Sequence, residues 1–381
     1  MALKVAKRGQ VPPFIVMDVM RAANERAAAG GDVLHLEVGQ PSTGAPAAVV
    51  AAAKAALDSD VLGYTLALGL EPLRQRIADN YRAEYGVAVR PESVVVTTGS
   101  SGAFLLAFLA AFEPGDRVGI ACPGYPAYRN ILAALGVEPV LIPVGESSRF
   151  LPTAARLEAF GQKLDGLIVA SPSNPTGSML SAGEMAELVA YCHREGIRLV
   201  SDEIYHGLSY AAPAATAAGH AEVITINSFS KYYSMTGWRL GWMVVPDDLL
   251  RAVECLAQNL FISPPSLSQA AALAVFDCKD ELNANVARYA QNREILLAEL
   301  PAAGFGQLAP ADGAFYLYAN VARWTDDSLA FCRRMLAETG VAATPGVDFD
   351  PLDGRHFVRF SFAGATADMA EAARRLQAWS K

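Results

Sequence analysis

The sequence predicts an α/β protein with two parts, a large domain built on a mainly parallel seven-stranded sheet and a small α+β domain. Three observations carry this. Between residues 94 and 245, short apolar runs alternate with helical segments. The runs are almost continuously hydrophobic, as strands covered on both faces must be. The chain has 381 residues, which suits one large and one smaller domain better than a single compact unit.

The seven strand candidates are residues 94–97, 117–121, 137–143, 166–170, 198–202, 223–227 and 240–245. A helix over 181–195, closed by Gly196, shows the βαβ rhythm. Upstream, Pro72 opens a helix that sets Leu73, Ile77 and Tyr81 on one face and ends at Gly86. Residues 103–112 (AFLLAFLAAF) read as a buried core helix. Downstream, 314–319 (AFYLYA) and 356–362 (HFVRFSF) read as strands, with Thr366 capping a final helix. The first 40 or so residues carry Pro12, Pro13 and Pro41 and read as an extended arm. The expected division is 1–45 as an arm belonging to the small domain, 46–285 as the large domain, and 286–381 as the rest of the small one. The biased stretch 211–220 (AAPAATAAGH) reads as a surface loop.

Composition removes several function classes. Hydrophobic residues make up 52% and charged residues 18%, so the chain is core-rich and not disordered. A net charge of -8 and the lack of any Lys/Arg run argue against nucleic acid as a partner. Mean hydropathy is +0.22, yet the longest apolar run is about half a bilayer span, so no membrane is expected. The N-terminus is basic but lacks the apolar core of a signal peptide. Five widely spaced cysteines with no CxxC pair read as reduced thiols of a cytoplasmic protein.

The chemistry concentrates at strand ends, where open α/β sheets place their sites. The segment 227–241, NSFSKYYSMTGWRLG, puts Lys231 on a loop between two strands, among hydroxyls and ahead of Arg239. That grouping suggests a phosphorylated ligand at or beside the lysine. Segment 94–104, VVVTTGSSGAF, is strand, turn and helix, so the amides of Gly99, Ser100 and Ser101 form an anion site. Segments 170–177 (ASPSNPTG) and 201–205 (SDEIY) end two further strands. Each has a plainer reading by itself: a solvated loop, a helix cap, an ordinary turn, an N-cap acid. Other chemistries lack their signatures. The nucleophile-elbow pattern fails at Ala103, no GxGxxG or GxxxxGK[ST] follows a strand, and the five histidines form neither HxH nor HExxH, so no metal is expected.

Taken together and in this order, the GQP turn, YTLALG, TTGSSGA, PGYPAY, SNPTG, SDEIY, SFSKYYSMTGWRLGW and RFSF resemble the fold-type-I pyridoxal 5'-phosphate (PLP) enzymes, specifically the class I/II aminotransferases. The resemblance spans nearly the whole chain and implies a role for each residue. Lys231 holds PLP as a Schiff base and then carries the proton. Asp202 pairs with the pyridinium nitrogen, Asn174 and Tyr205 bind the ring's phenolic oxygen, and Tyr125 stacks on the ring. Gly99, Ser100, Ser101, Ser228, Ser230 and Arg239 form the phosphate cup. Tyr64 reaches the phosphate in the other subunit of a homodimer with shared sites. Arg359 clasps the substrate carboxylate, with Gly39 and Asn174 beside it.

The implied activity is transfer of an amino group from an α-amino acid to a 2-oxo acid by a ping-pong mechanism. A PLP-dependent C–S β-lyase starts with the same loss of the Cα proton, and the motifs leave it open. A PLP-responsive regulator reuses the fold behind a DNA-binding domain, and only a short arm precedes the GQP turn. Similar aspartate aminotransferases of bacterial type carry a lysine where this chain has Ser101. The arm segment Phe14, Ile15, Val16, Met17, which borders the substrate pocket in the family, is apolar. A neutral donor, aliphatic or aromatic, is therefore expected over aspartate, unless Arg21 or Arg129 supplies the missing charge.

Overall fold

The computed structural model describes residues 3–379. In chain order, β1 (Leu34–His35) precedes the seven strands of the large sheet. These are β2 (Val94–Thr97), β3 (Arg117–Cys122), β4 (Glu138–Pro143), β5 (Gly166–Ala170), β6 (Arg198–Asp202), β7 (Ile224–Ser228) and β8 (Gly241–Val244). Their order in space is β2-β8-β7-β6-β5-β3-β4, with β8 alone running against the rest. The expected mainly parallel sheet is present, and each predicted run lies within two residues of a strand.

Direction matters more here than count. The chain runs from β3 outward to β4, then crosses back to β5 on the other side of β3. The strand order reverses at that point, and the carboxyl ends of β2, β3, β5, β6 and β7 face one common crevice.

The helix Gly99–Ala111 lies against this sheet and is apolar on nearly every side, with Ala103, Phe104, Leu106, Ala107 and Phe108 buried. Burying one such phenylalanine contributes roughly 2–3 kcal/mol. The helix Glu71–Tyr85 buries Leu73, Ile77 and Tyr81 as the spacing predicts and stops at Gly86 in the left-handed region. Trp242 of β8 donates its indole N–H to the Tyr81 hydroxyl at 3.1 Å, tying that helix to the sheet. Ser181 caps Ala182–Glu195 in a reciprocal box with Glu184.

The remaining strands are β9 (Gly306–Leu308), β10 (Tyr316–Asn320), β11 (Val341–Ala342), β12 (Thr344–Pro345) and β13 (Phe357–Ser361). They form an antiparallel sheet in the order β12-β13-β10-β9, with β11 pairing in parallel with β1. Phe305, Phe315, Phe360, Met335 and Leu376 fill the core beneath it.

Two expectations need correction. The N-terminal arm is not simply extended. Residues Ile15–Ala28 form a helix whose first two amides donate to the Asp348 carboxylate, both at 3.1 Å. Thr366 does not cap the last helix but begins it, and the helix runs Thr366–Trp379. The expected boundary at 285/286 falls inside the continuous helix Lys279–Ala302. The stretch 211–220 is irregular, but Ala214 and Ala217 turn inward and are buried. No helix among the described residues is long and apolar enough to cross a membrane. The five thiols are free, and Cys122, Cys192 and Cys332 are buried.

Candidate active site

A cavity of about 530 Å³ opens at the reversal point, with Lys231, Asp202, Asn174, Tyr125 and Arg359 on its walls. Lys231 enters from the loop after β7 and donates through Nζ to the Gly39 carbonyl at 2.6 Å. Desolvation chiefly, then the charges of Arg359 and Arg239, lower its pKa to about 8, against the pull of Asp202. An amine so tuned is far more readily deprotonated near neutral pH than a surface lysine.

Asp202, the last residue of β6, forms the floor. It is buried, and burial raises its pKa to about 6. The Tyr128 hydroxyl and the Ile204 amide donate to its two oxygens and oppose that rise. A buried carboxylate whose partners are both neutral is set to accept a cationic N–H.

The anion site lies at the start of helix Gly99–Ala111, where no side chain caps the first-turn amides. Arg239, in the left-handed region at φ 52°, brings its guanidinium against Gly99. A Cβ on Gly99 would stand 2.6 Å from Arg239 Nη2, and one on Gly241 would stand 2.8 Å from the Ser100 amide. Glycine is needed at both positions for the cradle to close. Ser100, Ser101 and Ser230 line the cavity beside Arg239. Ser228 does not. Its hydroxyl accepts from the Ser230 amide at 3.0 Å and donates to the Leu240 carbonyl at 3.4 Å, which braces the loop.

Arg359 on β13 is buried, and its guanidinium carbon lies 4.3 Å from the Tyr316 ring centroid and 4.6 Å from that of Phe349. It donates to Asn174 Oδ1 at 2.9 Å and to the Glu37 carbonyl at 2.6 Å. No described carboxylate forms an ion pair with it, and its Nε is buried without a partner. An orphaned donor on a buried, unneutralised guanidinium is what a substrate carboxylate would satisfy.

Tyr205 lies beneath Lys231, but its hydroxyl is shared with that of Tyr316 at 2.7 Å. Gly39 has no room for a side chain, since a Cβ would stand 1.8 Å from the Tyr316 hydroxyl oxygen. Tyr125 is wedged edge-on between Phe14 and Tyr128, at 5.7 and 5.2 Å. Tyr64 stands apart, 83% exposed and outside the cavity.

Tyr128 and Tyr316 escaped the sequence reading. PGYPAY contains both Tyr125 and Tyr128, and only the helical turn between them reveals which reaches Asp202. Tyr316 sits in the AFYLYA strand, whose register with β13 puts it on the same face as Arg359. A wider cleft of about 660 Å³ lies at the opposite ends of the strands. Its arginines, Arg90 and Arg198, are already paired with Asp247 and Asp248.

A strand-end lysine, a buried acid across from it, an amide-and-arginine anion cradle and an unpaired guanidinium together fit PLP and an α-carboxylate. The comparisons agree. Residues 31–376 match the family model described as aminotransferase class I and II. The valine–pyruvate aminotransferase of Mycobacterium tuberculosis is 53% identical over 381 residues, covering 99% of this chain and 98% of that protein. A crystal structure of an aminotransferase from Mycobacterium tuberculosis, 52% identical, superposes with a TM-score of 0.97 over 99% of both chains. The aspartate aminotransferase of Thermus thermophilus, solved with maleate, superposes with a TM-score of 0.92 at 29% identity, over 99% of this chain and all of that one.

The fold and site define a fold-type-I enzyme. This chain belongs to the class I and II aminotransferases, and its cofactor is PLP.

Proposed function

We propose that this aminotransferase takes its amino group from a neutral α-amino acid, aliphatic or aromatic, in preference to aspartate, and passes it to a 2-oxo acid such as pyruvate. The observation that carries this is the charge inventory of the cavity. Its wall cations are Lys231, Arg239 and Arg359, and each has a task at the cofactor or the α-carboxylate. Ser101 brings no charge, and the facing wall is Phe14, Val16, Met17 and Ile131. Neither other candidate arginine lines the cavity. Arg21 is exposed and pairs with Asp18, while Arg129 donates to the Asp348 carbonyl at 2.7 Å. A second carboxylate against that wall would lose hydration worth several kcal/mol with nothing to replace it. The 53% identical relative is named for valine and pyruvate, which agrees with this choice.

Bound PLP supplies a sink for the electron pair left at Cα. The chain's residues do the rest. Arg359 and Asn174 orient the carboxylate, Lys231 Nζ moves the proton at Cα, and Asp202 keeps the ring nitrogen protonated. With PLP bound, Tyr205 and Asn174 would hold its phenolic oxygen, Tyr125 would stack on the ring, and Gly99, Ser100, Ser101, Ser228, Ser230 and Arg239 would take the phosphate. One clamp serves donor and acceptor in turn, which makes the cycle ping-pong.

A homodimer completes the site through Tyr64. In support, Val61, Tyr64 and Leu66 of one segment are 95%, 83% and 73% exposed. Ser266 and Gln269 hold this segment to the body through Gly63 and Thr65. Such an apolar patch suits a protein interface. The division into 1–45 with 286–381 around a central 46–285 follows the pairing of β1 with β11, and helix Lys279–Ala302 bridges the two parts. Five free thiols agree with a cytoplasmic setting.

The test is kcat/KM across alanine, valine, leucine, phenylalanine, glutamate and aspartate, with pyruvate and 2-oxoglutarate as acceptors. Neutral donors are expected to lead. An aspartate value tenfold above every neutral donor would overturn the assignment.

A further inference from the structure

The active-site cavity has an apolar neighbour. A second cleft of about 450 Å³ is lined by Val11, Leu105, Asn130, Ala134 and Leu135. Phe14, Tyr125, Ala127 and Ile131 line both spaces, so these residues form the partition between them. Phe14 meets Tyr125 edge-on, with ring centroids 5.7 Å apart at 87°, and Tyr125 is braced from its other side by Tyr128. Ala127 is too short to block a passage, and Ile131 lies on the helix Pro126–Leu135 that floors both spaces. Phe14 is therefore the partition residue that lies off that helix and outside the proposed cofactor contacts, so its ring can be removed without touching either.

Its position is imposed from far along the chain. Phe14 immediately precedes the helix Ile15–Ala28, which has no side-chain cap of its own from residue 14. Asp348 supplies the cap instead, accepting from the Ile15 amide through one oxygen and the Val16 amide through the other, both at 3.1 Å. Arg129 grips the Asp348 carbonyl at 2.7 Å, so the latch is itself anchored to the helix that carries Ile131. A carboxylate at a helix start that accepts two backbone N–H groups is a strong local restraint.

We propose that Phe14 is the specificity-determining partition that stops the donor side chain at the edge of the outer cleft, and that Asp348 is the positioning residue that keeps it there. This rests on the neutral-donor reading and narrows it. The favoured side chains are short and branched, and an aryl group is limited by Phe14. Removing the ring joins the two spaces and gives a longer apolar group a place to go.

The test uses the PLP-loaded enzyme and two unreactive carboxylates, 3-methylbutanoate and 3-phenylpropanoate, with dissociation constants read from the change in the visible band. Phe14→Ala is expected to tighten 3-phenylpropanoate relative to 3-methylbutanoate at least tenfold, and Phe14→Leu by a smaller factor. Asp348→Ala is expected to move the ratio the same way, while Asp348→Asn, which keeps an acceptor oxygen, stays nearer the wild type. Succinate is measured alongside. If the wild type binds succinate more tightly than either monocarboxylate, the neutral-donor reading fails while the Phe14 ratio remains readable. A ratio unchanged within twofold in both Phe14 variants would overturn the partition. A shift with Phe14→Ala but none with Asp348→Ala would overturn the latch.

Discussion

Arg359 Nη1 donates to Asn174 Oδ1 at 2.9 Å, joining the C-terminal sheet to the loop that follows β5 in the large one. The residue proposed to clamp the substrate carboxylate and one proposed to meet the cofactor are thus one hydrogen-bonded unit. On that proposal, a carboxylate paired with Arg359 would be held in register with Asn174.

Arg359→Lys should test that unit. A lysine keeps the charge but loses the planar fork, so it cannot bond the carboxylate and Asn174 together. The loss of kcat/KM is expected at roughly 10²-fold or more, similar for every donor whatever its side chain, since about 1.4 kcal/mol is lost per tenfold. A loss confined to one donor would place Arg359 at the side chain instead.

Asp202 predicts opposite effects on stability and function. Its folded pKa, about 6, lies above the ordinary aspartate value of 3.8. Between those values the folded protein binds the extra proton, so this group's contribution to stability falls as pH rises through the window. Above about 6 the full cost of the buried carboxylate is present in the cofactor-free protein. Asp202→Asn removes that cost and still meets Tyr128 and Ile204. Cofactor-free Asp202→Asn should be more stable than wild type at pH 7–8, by up to about 3 kcal/mol, with the gain vanishing below pH 4. With PLP bound, kcat should fall roughly 10³-fold, about 4 kcal/mol, as the ring nitrogen loses its partner. Near-normal kcat would remove Asp202 from that role.

Tyr128 favours the ionised form of Asp202 by donating to it, against the larger effect of burial. Tyr128→Phe deletes that hydroxyl and leaves the ring contacts with Phe104 and Tyr125 in place. A hydrogen bond to a charged group contributes about 1.5–3 kcal/mol, so PLP should be retained about ten- to hundredfold less tightly. Dialysis followed by cofactor absorbance measures this, and unchanged retention would contradict it.

The proposed sharing of the site between two subunits can be tested by mixing. Tyr64→Ala and Lys231→Ala homodimers should each be weakly active or inactive, and hybrids should regain activity because one of their two sites then carries both residues. Full activity of a monomer at assay concentration, shown by sedimentation, would refute the composite site.

Much of this molecule is legible in the sequence, and for a physical reason. Strands buried on both faces, such as 94–97 and 166–170, must be apolar throughout, and the turns after them must carry polar residues if they hold a site. What escapes is what distant segments decide. Val16, Val19, Met20 and Ala23 recur at helical spacing, yet prolines at 12, 13 and 41 suggest an extended arm, and the carboxylate that starts the helix comes from Asp348. Tyr316 gains its place from strand register with β13, and no local pattern distinguishes it from Tyr318.

The most direct measurement is a single half-reaction. PLP-saturated enzyme is mixed with L-valine and no acceptor, and the 2-oxo acid released is counted per chain. Transamination at Lys231 predicts one equivalent of 3-methyl-2-oxobutanoate per active chain, loss of the visible band, and return of that band with alanine formation when pyruvate is added. Lys231→Ala should give none of these on the same timescale. Repeated release of ammonia without acceptor from a cysteine conjugate, with no 2-oxo acid released from valine, would contradict the account and assign the site to β-elimination.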